Sequence, residues 1–212
     1  MELDVYTIDG RGEPERLLFL MHGYSANEYH LAALGPLMDP QARFLVAAPR
    51  APLSIPPRGA AWWDVTDGES KLVAAMRKAS VELADDTIDR VCADRGMQRA
   101  EAVIGGFSQG CGLALAVAFR RSQRPRPAGV IALSGTVLAD DAVDWDVTAA
   151  AGVPVFVGSG TADPIMSAER TQAVVDKLAP AGVPITSRTY DGMAHDICLE
   201  ELADIRDWLA EH

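Results

Sequence analysis

A serine stands between two glycines in the pentapeptide Gly-Phe-Ser-Gln-Gly, residues 106–110, and its surroundings suit a nucleophile. The residues before it, 102–105, predict a buried strand, and the apolar residues 113–119 after it predict a helix. A strand that turns directly into a helix holds the residue at the turn in a strained conformation, and the flanking glycines let the backbone pack closely around it. The pattern predicts that Ser108 displays its hydroxyl above a sheet, where it can attack a carbonyl carbon.

This strand, turn and helix resemble the nucleophile elbow of α/β hydrolases. The alternative is that the glycines only close a tight turn and that Ser108 caps the following helix, since serine is a good N-cap residue. The two interpretations differ in what else the chain must carry. A nucleophilic serine needs a base within hydrogen-bond reach and a third group that orients the base.

The base should follow the nucleophile along the chain, as it does in α/β hydrolases. Only His195 and His212 lie beyond Ser108. His212 is the last residue, where a chain end is usually too frayed to hold a base. His195 follows a predicted strand through a short loop, at the carboxyl edge of the sheet. We therefore expect His195 to be the base, the alternative being an exposed loop histidine.

The acid should lie between the nucleophile and the base, where the candidates are Asp140, Asp141, Asp144, Asp146, Asp163, Asp176 and Asp191. Asp163 follows the predicted strand 153–157 through a short glycine-containing loop, again at the carboxyl edge, and Pro164 begins a new segment. We expect Asp163 to be the acid and hold Asp191 in reserve. The structural alternative is that Asp163 caps the helix that begins near Ser167.

Attack on a carbonyl creates an oxyanion, which two backbone N–H groups can stabilise. The elbow supplies one donor at Gln109, the first residue of the helix, and the loop after an early strand supplies the other. The residues Met-His-Gly-Tyr at 21–24 stand where that loop is expected. We expect the N–H groups of Tyr24 and Gln109 to form the oxyanion hole, and the His22 side chain to brace the loop.

The elements that must position these residues alternate between apolar runs and helical patterns, which predicts an α/β fold with a mostly parallel sheet. The predicted strands cover residues 3–8, 16–21, 43–47, 102–106, 129–133, 153–157 and 185–190. The main predicted helices cover residues 70–94, 109–120, 168–178 and 197–210. About 20 residues separate the strands that end near 133 and begin near 153, too few for a helical cap domain.

The stretch 49–67 differs from these elements because it is rich in proline and contains the adjacent residues Trp62 and Trp63. It predicts an ordered irregular loop near a binding face. Residues proposed to line a substrate pocket are Trp62, Trp63, Ile165, Met166 and Met193, with Leu53 and Ile55 as further candidates. Each of them has burial in the core as its alternative, since apolar side chains are buried whatever a protein does.

The composition and net charge limit the classes of protein to which this chain can belong. The 212 residues are 49% hydrophobic and 23% charged, which predicts a single globular domain over residues 1–212. A net charge of −11 argues against nucleic acid and strongly anionic membranes as partners. The absence of a signal pattern and of a membrane-spanning stretch predicts a cytoplasmic protein without stable membrane insertion.

Metal and disulfide chemistry have little support in the sequence. The three cysteines are widely spaced, which favours neither a disulfide framework nor a zinc site, and no two histidines are four residues apart. The acidic residues Asp85, Asp86 and Asp89 lack the pattern of a calcium loop and are expected on a solvated helix face.

Several motifs together resemble the phospholipase/carboxylesterase family of α/β hydrolases, small serine esterases that include the acyl-protein thioesterases. They are an oxyanion loop at 20–24, a proline-rich segment at 48–52, an aromatic-acid pair at 63–64, the elbow at 106–110, an acid loop at 160–164 and a histidine loop at 190–195. Their order and spacing are more specific than the elbow alone.

The resemblance implies a compact α/β-hydrolase fold with no cap domain, no metal or organic cofactor and a small-molecule ester or thioester substrate, and it is compatible with a homodimer. Two positions depart from the family pattern. Ser25 stands where a glycine is usual, and Cys111 stands where a second glycine often follows the elbow. Ser25 is expected to alter the oxyanion loop or add a polar group near the acyl pocket, and Cys111 to adjust packing.

The expected function is that of a serine carboxylesterase with the catalytic residues Ser108, Asp163 and His195. Without a cap to enclose a long chain, short-to-medium acyl groups are the expected substrates. The related alternative is an acyl-protein thioesterase, another acyl thioesterase or a lysophospholipase-type hydrolase. A remoter alternative is a non-catalytic binding protein with a hydrolase fold, because fold does not fix function.

Overall fold

The computed structural model describes residues 2–12, 14, 16–66 and 70–212. Its strands are β1 (Val5–Ile8), β2 (Arg16–Met21), β3 (Phe44–Pro49), β4 (Leu53–Ile55), β5 (Gly59–Ala61), β6 (Val103–Phe107), β7 (Gly129–Leu133), β8 (Val155–Gly160) and β9 (Ile185–Tyr190). Its α-helices are α1 (Glu28–Ala32), α2 (Gly35–Met38), α3 (Lys71–Arg95), α4 (Gln109–Phe119), α5 (Ala168–Leu178) and α6 (Leu199–Glu211).

Seven strands form the central sheet, in the order β1-β3-β2-β6-β7-β8-β9. All neighbouring strands are parallel except β1, which pairs antiparallel with β3 at one edge. The chain leaves β2 toward β3 on one side and later enters β6 on the other. Such a reversal of strand order opens a crevice outside the carboxyl ends of the strands, which is where open α/β sheets bind ligands.

Helices cover both faces of the sheet, and the side chains of β2 show why. Because alternate side chains of a strand point to opposite faces, Leu17, Phe19 and Met21 enter one core, with α3, α4 and α5. Leu18 and Leu20 enter the other, with α1, α2 and α6. A strand buried on both faces must be apolar at nearly every position. The predicted compact α/β-hydrolase fold with a mostly parallel sheet is confirmed.

The predicted bounds of β2, β7, β9 and α5 are confirmed, and those of other elements shift by a few residues. The strand β3 continues to Pro49 because it pairs there with Val5 of β1. The strand β8 continues to Gly160 because it pairs there with Tyr190 of β9. Between β7 and β8 the structure contains only loop and a 3-10 turn at Thr148–Ala150, with no cap helix in that connection.

The stretch predicted as an irregular loop over residues 49–67 instead contains a hairpin, in which β4 pairs antiparallel with β5. Asp67 lies outside the described residues. The hairpin packs on the loop after β2. Ala60 donates a backbone hydrogen bond to Ala26 (2.7 Å), and a Cβ atom added to Gly59 would lie 2.3 Å from the carbonyl oxygen of Ser25. Contacts with a loop distant in sequence therefore order two strands that are too short to be predicted from the sequence.

The acidic run on α3 is also not wholly solvated. Asp85 is fully buried, and its carboxylate forms ion pairs with Arg99 and Arg120, the latter at 2.5 Å. Asp86 and Asp89 are more exposed and pair with arginines as well. A buried carboxylate stays charged only with such partners, which come from distant parts of the chain.

No helix among the described residues has both the length and the apolar composition that crossing a bilayer requires.

One carboxyl group lies in the core without a partner. Glu201, in the first turn of α6, is 0% exposed, and neither of its side-chain oxygens has a hydrogen-bond partner in the part of the chain that the structure describes. Burial, with smaller contributions from the charges of Asp196 and Asp204, raises the pKa of Glu201 to about 8. The folded protein therefore holds Glu201 protonated at neutral pH.

We predict that Glu201 lowers the stability of the protein as pH rises. Because the folded pKa lies above the unfolded one, the unfolded chain releases a proton that the folded chain keeps, so stability falls between about pH 5 and pH 8, by roughly 3 kcal/mol from this group. Glu201→Gln should remove this part of the pH dependence of the free energy of unfolding, measured by urea denaturation. The exposed neighbour provides the control, Glu200→Gln. An equal pH dependence in wild type and Glu201→Gln would contradict the prediction.

Candidate active site

Ser108 occupies a strained turn between β6 and α4. Its backbone has φ 55° and ψ −112°, a region that residues with a side chain rarely adopt, and its N–H donates to the carbonyl of Leu133 (2.9 Å). A Cβ atom on Gly106 would lie 2.0 Å from the carbonyl oxygen of Gly110, and one on Gly110 would lie 1.9 Å from that of Met21. Both glycines are therefore needed for the chain to turn this tightly.

The structure brings Ser108, His195 and Asp163 together. The His195 ring places Nε2 at 3.0 Å from Ser108 Oγ and Nδ1 at 2.7 Å from Asp163 Oδ2. The three residues follow the carboxyl ends of β6, β9 and β8, which meet at one edge because the strands are parallel. The geometry is that of a nucleophile, a base and the group that orients the base.

The loop after β8 holds Asp163 in place. Its Oδ1 atom accepts hydrogen bonds from the backbone N–H groups of Ile165 and Met166, both at 2.8 Å, which leaves Oδ2 for His195. Burial acts to raise the pKa of Asp163, but the hydrogen bonds from Met166, His195 and Ile165 outweigh it and hold the pKa below its usual range. Asp163 is therefore an ionised partner for the imidazole.

The reserve candidate for the acid lies elsewhere. Asp191 is exposed, and its Oδ1 accepts a hydrogen bond from the Thr161 hydroxyl (3.1 Å). It thus ties the loop after β9 to the loop after β8 without touching the base.

The predicted oxyanion donors border the same cleft as Ser108. Gln109 is the first residue of α4, and Tyr24 lies in the loop after β2. Neither backbone N–H donates a hydrogen bond to another atom of the described residues. Gly23 brings the Tyr24 loop close to the nucleophile, since a Cβ atom there would lie 3.2 Å from Ser108 Cβ. Both N–H groups are therefore candidates to hold an anionic oxygen beside Ser108.

His22 is buried beneath this loop and braces it, as expected. Its Nδ1–H donates to the carbonyl of Gly23 (2.8 Å), and its Nε2 accepts a hydrogen bond from the N–H of Ala51 (3.1 Å). Burial lowers the pKa of His22 to about 4, against a smaller opposing effect of the hydrogen bond to Gly23. A neutral ring, with one donor and one acceptor, satisfies both contacts.

A cleft of about 1110 Å³ opens above Ser108. Of the expected lining residues, Trp63, Ile165 and Met166 border it. Trp62 and Met193 do not, and this corrects the prediction. The indole of Trp62 is buried because it donates to the carbonyl of His22 (2.8 Å), and Met193 is buried beside Gly160. Leu53 and Ile55 lie in β4 and also do not line the cleft.

Sequence reasoning missed several wall residues. Val65, Val137 and Leu138 add apolar surface to the cleft. The helix α5 adds the basic side chains Arg170 and Lys177. The signal for Val137 and Leu138 was available, because the loop after β7 must emerge at the same edge as the nucleophile. Phe107 was noted only as part of the motif, yet its ring packs against the His195 ring, with the two ring centroids 4.7 Å apart.

The two departures from the family pattern have local explanations. Ser25 has φ 62°, in the left-handed region that favours glycine, and it borders the cleft. Cys111 is buried. A Cβ atom added to Gly135 would lie 2.3 Å from the Cβ of Cys111, so the cysteine side chain fills the space that Gly135 leaves. Burial raises the pKa of the Cys111 thiol to about 12, which keeps it a neutral packing residue.

Within the described ranges, no group of three or more histidine, cysteine, aspartate or glutamate side chains is arranged to hold a metal ion.

Several known proteins are similar to this chain in sequence or in structure. The family model described as Phospholipase/Carboxylesterase matches residues 4–212. The protein MhqD of Bacillus subtilis is 26% identical over 207 residues, which are 95% of this chain and 96% of that protein. Acyl-protein thioesterase 1 of Cryptococcus neoformans is 35% identical over 132 residues, 56% of this chain and 55% of that protein. The crystal structure of esterase PE8 superposes with a TM-score of 0.84 at 24% identity, over 100% of this chain and 99% of that one.

We predict that Gly110→Ala destabilises the protein while Gly152→Ala does not. The added methyl group at Gly110 would collide with the end of β2, and overpacking of this kind costs about 2 kcal/mol or more. No atom lies within 4 Å of a Cβ at Gly152, where the change should stay within about 0.5 kcal/mol. Urea unfolding of both variants measures the difference. Equal stability of the two variants would show that the elbow tolerates a side chain.

Proposed function

The chain belongs to the phospholipase/carboxylesterase family of hydrolases, and from that premise we propose that it is a serine carboxylesterase acting on short-to-medium-chain carboxylic esters. The observation that carries the proposal is the continuous hydrogen-bonded path from Ser108 Oγ through the His195 ring to Asp163, at the floor of an open cleft.

The proposed reaction begins when Ser108 Oγ attacks the ester carbonyl carbon and His195 Nε2 takes the hydroxyl proton. Asp163 accepts the Nδ1–H hydrogen bond throughout, which fixes the tautomer and stabilises the imidazolium. When the tetrahedral intermediate collapses, His195 Nε2 gives the proton to the leaving alkoxide. A water molecule then attacks the acyl-enzyme with His195 as base, and the carboxylic acid leaves as Ser108 regains its proton.

The negative charge of each tetrahedral intermediate develops on the former carbonyl oxygen. The N–H groups of Tyr24 and Gln109 are proposed to hold that oxygen, because they border the cleft beside Ser108 and have no acceptor among the described residues. Fixed donors of this kind act without reorganisation and are commonly among the largest contributions to acyl transfer.

The walls of the cleft support an acyl group of limited length. Among the lining residues, Trp63 and Leu138 are buried and are called the inner wall here, whereas Val65 and Ile165, called the rim, are 49% and 53% exposed. An acyl carbon gains binding free energy only where it leaves water, at about 0.8 kcal/mol per methylene. The gain should therefore fall once the chain reaches the exposed rim.

A thioesterase activity is the second candidate, and the 35% identity to an acyl-protein thioesterase over part of the chain favours it. Ester and thioester hydrolysis would use the same residues. The two candidates differ only in the leaving group, so substrate comparison distinguishes them. A cytoplasmic location, a homodimer and a single domain over residues 1–212 stay predictions.

We predict that Ser108→Ala abolishes turnover of p-nitrophenyl butyrate and that Asp163→Asn lowers kcat by about 10⁴, because the neutral amide no longer holds the correct imidazole tautomer. The matched control is Asp191→Asn, which removes a carboxylate from the neighbouring loop and should leave kcat within about threefold. Steady-state kinetics on variants with native circular dichroism measure these effects. Substantial activity in Ser108→Ala, or equal losses in the two aspartate variants, would refute the assignment.

We predict that kcat/KM rises with acyl length from acetyl to octanoyl and levels off beyond it. Each methylene buried against the inner wall should raise kcat/KM by up to about fourfold, and methylenes at the exposed rim should add little. The measurement is a graded series of p-nitrophenyl esters below their micellar concentrations, paired with thioesters of the same acyl groups. A steady rise through palmitoyl would overturn the length preference, and a uniform preference for thioesters would favour the thioesterase.

A further inference from the structure

The two proposed oxyanion donors belong to separate parts of the fold. Tyr24 lies in the loop after β2, and Gln109 begins the helix after β6. An oxyanion is stabilised only when both N–H groups point at one oxygen atom, with donor distances of about 2.7–3.1 Å. Some contact between the two segments must therefore fix their spacing.

The side chain of Gln109 provides the first part of such a contact. It is buried. Its Oε1 atom accepts a hydrogen bond from the Trp62 N–H (3.1 Å), and its Nε2 donates to the Trp63 carbonyl (3.0 Å). The amide thus holds the main chain of two consecutive residues, using one acceptor and one donor.

Trp62 continues the path to the other donor. Its indole N–H donates to the carbonyl of His22 (2.8 Å), and the two rings lie 5.5 Å apart. The His22 ring donates in turn to the carbonyl of Gly23 (2.8 Å), the residue directly before Tyr24. A line of buried hydrogen bonds therefore joins the residue that carries one oxyanion donor to the residue that precedes the other.

Each link in this path is a hydrogen bond that requires one particular donor and one particular acceptor. Trp62 and His22 are almost fully excluded from solvent, so water cannot replace a lost partner. The amide of Gln109 supplies both a donor and an acceptor, which neither a carboxylate nor an apolar side chain can do. Buried networks that are fully satisfied in this way fix one arrangement of the groups they join.

We propose that the side chain of Gln109 is a positioning residue, which acts through Trp62 and His22 to set the geometry between the Tyr24 and Gln109 N–H groups. The inference rests on the proposed function and adds a role for a side chain that touches no reacting atom. Small misplacements of catalytic groups can cost about 10²-fold in rate. Loss of the Gln109 side chain should accordingly lower kcat by about 10- to 100-fold with little change in KM.

The test compares Gln109→Ala and Gln109→Met with wild type on one activated ester. The methionine keeps the length of the side chain, but it has no donor for the Trp63 carbonyl and no strong acceptor for the Trp62 N–H. It therefore serves as the decisive variant if the alanine variant does not fold. Affinity for a trifluoromethyl ketone, whose adduct with Ser108 carries an oxyanion, should weaken by the same factor as kcat.

Two further variants distinguish a positioning role of Gln109 from a general loss of packing around Trp62. Ser80→Ala removes a hydrogen bond onto the Trp62 carbonyl (2.6 Å) from α3, outside the path, and should leave kcat within threefold. Trp62→Phe removes the indole donor within the path. It should lower kcat and should not add to the loss in Gln109→Ala, since non-additivity marks residues that act through one network.

The expected result is a loss of more than threefold in kcat for both Gln109 variants, with a matching loss of ketone affinity and KM within threefold. The proposal is overturned if Gln109→Met keeps kcat within threefold, if the ketone binds as tightly as to wild type, or if Ser80→Ala loses as much. Wild-type turnover that depends on Ser108 keeps the proposed function intact in each of these cases, whereas an inactive wild type would refute the function itself.

Discussion

The turn at Ser108 is the constraint on which the site depends. Its backbone is held outside the regions that side-chain-bearing residues prefer, and two glycines make that possible by letting the start of α4 pack directly against β6 and the end of β2. The same packing brings the loop that contains Gly23 against Ser108. This close approach of backbone to backbone brings the proposed nucleophile and both candidate oxyanion donors to one place, where the Gln109 side chain is proposed to set the spacing of the two donors.

Parallel strands supply the remaining geometry. His195 and Asp163, the proposed base and acid, come from different loops of the chain, and they meet because β6, β8 and β9 end at the same edge. Charge then distinguishes the environments of two histidines, the partly exposed His195 and the buried His22. His195 faces a carboxylate whose pKa is held low, whereas His22 has only backbone partners and remains neutral. We propose that the His195 ring exchanges protons, whereas the His22 ring supports a loop.

Much of this arrangement could be predicted from sequence, because it follows from chain order. The elbow, the order of serine, acid and histidine, and the rule that parallel strands end together were sufficient to select Ser108, Asp163 and His195. What sequence did not predict depends on contacts between distant segments. The hairpin β4–β5 is ordered by the Ser25 loop, Trp62 turns inward to reach the His22 carbonyl, and Asp85 is buried because remote arginines neutralise it. The Gln109 amide looked like a family marker, and only the structure shows what it binds.

Labelling by a fluorophosphonate, which reacts with an activated serine, tests the assignment of Ser108 as the nucleophile most directly. The quantities to measure are the site and the stoichiometry of the label. Mass spectrometry of the native protein should show one adduct per chain, located at Ser108 by peptide mapping, with the reaction rate strongly reduced in His195→Ala. Unfolded protein should not react. An absence of adduct in folded protein, or an adduct at another serine, would contradict the assignment of Ser108 as the nucleophile.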